Sequence, residues 1–111
     1  MHETKWTPWG YMTRPVKEEE PMEFVVEKTV CNRAEMDGWL VRKIEYPGRR
    51  GALDRLFIKN GRIVFIEFKR PGGKLDPLQE REKARLIEHG AEAYVIDNIE
   101  AGLIVLGLCA G

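Results

Sequence analysis

The spacing of apolar residues changes several times along the chain, and each change predicts an element. Placed about 100° apart, Phe24, Val30, Cys31 and Ala34 share one arc, which predicts a helix from Glu23 to about Asp37, opening after Pro21 and closed by Gly38. Trp39 to Glu45 then reads as a strand, followed by the turn-rich run Tyr46-Pro47-Gly48-Arg49-Arg50-Gly51. Leu53 to Lys59 and Arg62 to Lys69 are two more strands. The Asn60-Gly61 pair between them is a strong hairpin signal. Beyond Pro71-Gly72-Gly73-Lys74 a second helix is expected, with Asp76 as its N-cap and Pro77 at its first position, running to about His89 and ending at Gly90. Ala91 to Asp97 is a fourth strand. The apolar tail from Asn98 to Gly111 fits a short helix or another strand equally well.

The helix, three-strand meander, helix and strand (αβββαβ) predict an α/β domain with a mixed sheet flanked by helices. The second helix connects the third strand to the fourth, as a right-handed crossover would. With 111 residues there is room for one core. Residues 1–21 read as an extension before a domain at 22–111, because they hold Pro8, Pro15, Pro21 and the charged run Lys17-Glu18-Glu19-Glu20 without sustained periodicity. Trp6, Trp9 and Tyr11 in that extension either pack on the domain or a partner subunit, or stack on nucleotide bases.

Two polar positions interrupt this pattern where chemistry is expected. Glu27 falls in the middle of the apolar arc of the first helix, where a carboxylate is costly unless a cation or a donor meets it. It either belongs to a site, pairs with an arginine or reaches solvent. The hairpin supplies the second anomaly. If Asn60-Gly61 is a two-residue turn, Lys59 opposes Arg62, and counting outward sets Asp54 opposite Glu67, with β-carbons about 5 Å apart. Lys69 follows on the same face, beyond Leu56, Ile58, Ile63 and Phe65. Leu53, Phe57, Val64, Ile66 and Phe68 lie on the other face as candidate core. Two opposed carboxylates repel, and a divalent cation between them would resolve that repulsion. Their hard oxygens, with a backbone carbonyl, suit Mg²⁺ or Mn²⁺. Gln79, three residues after the Asp76 cap, completes a capping box or turns its amide toward this site.

Charge and cysteine content narrow the picture. Eighteen basic and eighteen acidic residues cancel, which argues mildly against a nucleic-acid binder, although metal-binding carboxylates would offset phosphate-binding arginines. Arg49, Arg50, Arg70 and Lys74 flank the metal end of the hairpin and are the candidates for phosphate contact, their alternative being an ordinary solvated loop. Arg81, Lys83 and Arg85 alternate with Glu80, Glu82 and Glu88, a pattern expected of charge pairing along a helix surface. Cys31 and Cys109 match no metal-ligand spacing. No apolar run approaches the roughly 20 residues of a membrane span, and no cationic, apolar segment opens the chain. A reduced, cytoplasmic protein is expected.

Glu27, Gly51-Ala52-Leu53-Asp54, Ile66-Glu67-Phe68-Lys69, Leu75-Asp76-Pro77-Leu78-Gln79 and the later Gly-Ala-Glu-Ala-Tyr-Val-Ile-Asp run, in this order, resemble the VRR-NUC family of the PD-(D/E)XK nuclease superfamily, over about residues 22–98. The resemblance implies a restriction-endonuclease-like core and a Mg²⁺- or Mn²⁺-dependent phosphodiesterase acting on DNA. It implies Asp54, Glu67 and the Phe68 carbonyl as metal ligands and Lys69 as catalytic lysine, with Glu27 and Gln79 completing the site. Leu53 departs from many members, which carry proline there. Resemblance and two-fold symmetry together suggest a homodimer of stand-alone type, suited to a branched substrate such as a Holliday junction. A catalytically idle DNA-binding module on the same fold and an RNA-directed nuclease are the rival readings.

Overall fold

The computed structural model describes residues 22–108. The extension at 1–21, with Trp6, Trp9 and Tyr11, lies outside the described residues, as does Cys109. The elements run α1 (Met22–Met36), β1 (Leu40–Lys43), β2 (Arg55–Lys59), β3 (Arg62–Phe68), α2 (Pro77–Glu88), β4 (Glu92–Ile96) and α3 (Ile99–Val105). The αβββαβ order therefore stands, and the ambiguous tail is a helix. Asn98 decides that outcome: its side chain accepts from the Ala101 backbone N–H and caps α3.

The sheet order is β1-β2-β3-β4, antiparallel across the meander, with β4 parallel to β3. Asn60 and Gly61 take φ of 49° and 84°, the two positive values a tight hairpin turn of this type needs, and Lys59 pairs with Arg62 as the turn dictates. β2 begins at Arg55, so Leu53 and Asp54 stand just before the regular ladder. Extending the same register by one step would oppose Asp54 to Glu67, and the Asp54 charge does act on Glu67.

Alternation then sorts the side chains. Phe57, Val64, Ile66 and Phe68 are buried on one face, where they meet Val26, Val30, Cys31 and Ala34 of α1. Helix α3 packs beside α1, and Gly102 allows the approach, because a β-carbon there would lie 2.7 Å from Val30 Cγ2. Cys31 is a packing residue whose thiol burial pushes up to about 12. Helix α2 lies against β4 and buries none of its own side chains fully. It leaves the other face of β1, β2 and β3 partly open. Leu40 pairs with Ile58, and Ile58 with Ile63, so these three form one row across that face. Leu40 and Ile63 are each 44% exposed.

Candidate active site

The carboxylates gather where the hairpin ladder ends beside the first turn of α2. Asp54 is held through its backbone, its carbonyl accepting from the Ile44 N–H, and through its side chain, Oδ2 accepting from the Phe68 N–H at 2.9 Å. A carboxylate thus occupies the place of a backbone ladder partner and lies beside the Phe68 peptide. Burial pushes the Asp54 carboxyl above its ordinary value; the Phe68 N–H and Lys69 pull against that, and Glu27 and Glu23 add to it.

Glu67 is the only charged residue fully buried among the described residues, 5% exposed. Its Oε2 lies 3.2 Å from Lys69 Nζ, while Oε1 has no hydrogen-bond partner. Burial first and Asp54 second push its pKa up; Gln79 and Lys69 favour the charged form. A buried carboxylate oxygen without a donor, next to a second carboxylate, is costly as it stands, and a cation would relieve it.

Gln79 forms the expected capping box. Its backbone N–H donates to Asp76 Oδ1 at 2.9 Å and its Oε1 accepts from the Asp76 N–H at 3.3 Å, completing the capping box. The same side chain donates through Nε2 to the Ala52 carbonyl at 3.3 Å, tying α2 to the segment that leads into Asp54 and leaving the amide near Glu67. Gly51 makes this approach possible. Its φ is 104° and a β-carbon there would stand 3.1 Å from the Leu78 carbonyl oxygen.

Asp54, Glu67, Lys69 and Gln79 are therefore brought together, with the Phe68 backbone between the first two. Glu27 stands beside them: its Oε2 accepts from Arg55 Nε at 2.6 Å, and its charge raises the Asp54 carboxyl more than Lys69 lowers it. Arg55 is the residue the sequence reading overlooked, although its inward position between Asp54 and Leu56 marks it as a partner for a charge on α1. Among the described residues no group of three His, Cys, Asp or Glu side chains converges to hold an ion. Two carboxylates and a carbonyl still fit Mg²⁺ or Mn²⁺ in donor chemistry, because such ions keep several waters and take only one or two carboxylates from the protein.

The four expected phosphate-binding residues divide into two groups. Arg70 and Lys74 are exposed on the connection from β3 to α2. Arg49 and Arg50 face α2 across a cleft of about 700 Å³. The expected charge pairing along α2 is not what forms. Glu82 accepts from the Tyr46 hydroxyl at 2.6 Å and from Arg49 at 3.4 Å, and Arg81 and Arg85 turn to the same cleft. The contact is between a loop and a helix, and no periodicity within the helix could have shown it.

No family model matches the chain. It is 40% identical over 81 residues to a protein of Acyrthosiphon pisum secondary endosymbiont phage 1 named "Putative nuclease p44", a match spanning 72% of this chain and 87% of that protein. A UPF0102 protein of Thermotoga petrophila is 33% identical over 75 residues, 65% of this chain and 68% of its own length. Among solved structures a VRR_NUC domain superposes with a TM-score of 0.73 at 34% identity, over 82% of this chain and all of that one.

Proposed function

The chain belongs to the VRR-NUC family of nucleases, and on that footing we propose that it hydrolyses DNA phosphodiesters with a divalent metal at Asp54 and Glu67. The observation that carries the reading is the partnerless Glu67 Oε1, buried beside the Asp54 carboxylate and 3.2 Å, through its sister oxygen, from Lys69. Mg²⁺ or Mn²⁺, held by Asp54, Glu67 and the Phe68 carbonyl, would supply polarisation of a phosphoryl oxygen and a water of lowered pKa.

The remaining work falls to the chain's own side chains. Lys69 is positioned by Glu67 to meet the negative charge that develops as water adds to phosphorus and the P–O bond to the leaving oxygen breaks. Gln79, fixed at both ends of its amide, orients groups from the opposite wall. Glu27 keeps Arg55 in place behind Asp54. Arg49, Arg50, Arg70 and Lys74 offer phosphate contacts on either side of the carboxylates.

The row of Leu40, Ile58 and Ile63, left open on the sheet, is the surface that favours a homodimer, with two sites for the two strands of a branched DNA such as a Holliday junction. No described helix is long and apolar enough to cross a membrane, which accords with action in the cytoplasm of a prokaryotic or phage-infected cell. Calorimetric titration of Mn²⁺ into wild type and Asp54→Asn tests the metal assignment. Binding by wild type that weakens at least tenfold in the variant is expected, and equal binding by both would overturn it.

A further inference from the structure

The cleft between the β1–β2 loop and α2 has a charge pattern that the carboxylate site does not explain. Arg49 and Arg50 border it from the loop, Arg81 and Arg85 from the helix, and Glu82 is the carboxylate among them. Four guanidinium groups thus face one acid, in a chain whose charges cancel overall. That acid is already engaged. Glu82 accepts from both the Tyr46 hydroxyl and Arg49, and burial together with this bond pushes the Tyr46 phenol up to about 12.

Arg49 in turn stacks over the Tyr46 ring, 5.4 Å from its centroid, which holds one guanidinium in a fixed attitude. Among the described residues, no carboxylate pairs with the side chains of Arg50, Arg81 or Arg85. Arg81 and Arg85 are four residues apart and therefore project from one stripe of α2. Arg85 alone could be explained as a cation at a helix C-terminus, but Arg81 in mid-helix and Arg50 in the loop cannot. Gathering like charges in one place is unfavourable unless an anion completes them, and the planar guanidinium fork matches phosphate oxygens.

The cleft is also placed to continue the active site. Gln79, whose amide reaches the Ala52 carbonyl, is flanked on α2 by the cleft residues Leu78, Arg81 and Glu82, and Arg85 follows about 9 Å along the axis from Gln79 at 1.5 Å per residue. At about 3.4 Å of rise per nucleotide, that is a distance of roughly two to three nucleotides.

We propose that this cleft binds the phosphodiester backbone of the DNA strand as it leaves the carboxylate site, with Arg50, Arg81 and Arg85 as phosphate contacts and the Tyr46–Glu82–Arg49 cluster as the element that keeps them unpaired and aimed. The inference rests on the nuclease reading and names the path of its substrate. Arg81 and Arg85 are positioning residues in this scheme, remote from the reacting phosphorus.

The test compares wild type, Arg81→Ala/Arg85→Ala and the charge-matched Lys28→Ala/Lys83→Ala, using a fluorescently labelled four-way DNA junction. Binding in EDTA is measured by anisotropy across a salt series, and cleavage is measured with Mn²⁺. Each lost phosphate contact lowers the slope of log affinity against log salt by about 0.7 to 0.9. The arginine variant is therefore expected to lose about 1.4 to 1.8 in slope and to raise KM, with kcat within about threefold of wild type. The lysine variant should keep the wild-type slope. An unchanged slope and KM in the arginine variant, alongside normal cleavage by wild type, would overturn the cleft and leave the nuclease reading standing. A reduced slope in that variant, with a wild type that binds but never cuts, would overturn the nuclease reading and leave the cleft as a binding surface.

Discussion

Glu67 holds a position that hydrophobic packing alone would give to an apolar residue. Both it and Asp54 carry pKa values raised by burial, so the folded protein retains protons that the unfolded chain has released. The stability tied to these groups is full below the ordinary values of 3.8 and 4.5 and is lost as pH rises through the higher folded values. In EDTA at pH 7, Asp54→Asn/Glu67→Gln should therefore be more stable than wild type, by about 1–3 kcal/mol if an unsatisfied buried oxygen is the main cost. The gap should close as the pH is lowered toward 4. Urea midpoints across that range check it, and equal midpoints at pH 7 would count against a costly carboxylate pair. Mn²⁺ should raise the wild-type midpoint and leave the variant's unchanged, since a ligand stabilises only the state that binds it.

At the scale of elements, two contacts hold the site in place, and each can be separated from its neighbours. Gln79 caps α2 and also tethers Ala52, whereas Asp76 serves the cap. Asp76→Ala should cost about 1 kcal/mol and leave kcat close to wild type. Gln79→Ala should lose similar stability and lower kcat as well, a split that denaturation and steady-state kinetics resolve. Gly102→Ala forces a methyl to within 2.7 Å of Val30 Cγ2, so it should cost about 1–3 kcal/mol by overpacking α1 against α3, with the transition read by urea denaturation.

Local signals made these elements legible in the sequence: the Asn60-Gly61 turn fixed the register opposing Asp54 to Glu67, and Asp76-Pro77 marked the start of α2. The rest depended on tertiary partners that leave no local trace. Arg55 holds Glu27 by an ion pair beside the carboxylates, and Tyr46 and Arg49 claim Glu82 from across a loop. The last apolar run was ambiguous because a short stretch can bury its side chains in either geometry; the Asn98 cap and the Gly102 contact with α1 make it a helix.

For the molecule as a whole, a net charge of zero conceals a sharp division. Acidic groups gather at the end of the hairpin, and arginines line the cleft beside them. The open row of Leu40, Ile58 and Ile63 on the same sheet face adds an assembly prediction. Wild type should sediment as a dimer, and Ile63→Asp, at a position 44% exposed, should sediment as a monomer. A monomeric wild type at assay concentrations would remove the dimer from the account. Asp54, Glu67 and Lys69 are proposed to form a metal-dependent site for cutting DNA. Its most direct test is cleavage of labelled four-way junction, flap, duplex and single-stranded DNA by wild type and Lys69→Ala, with Mg²⁺, Mn²⁺ or EDTA. Cutting that needs the metal and falls by about 10²–10³ in the variant is the predicted result, the scale expected when one charge-stabilising group is removed. Binding of these DNAs by wild type without cleavage under either metal, or cleavage undiminished in Lys69→Ala, would contradict it.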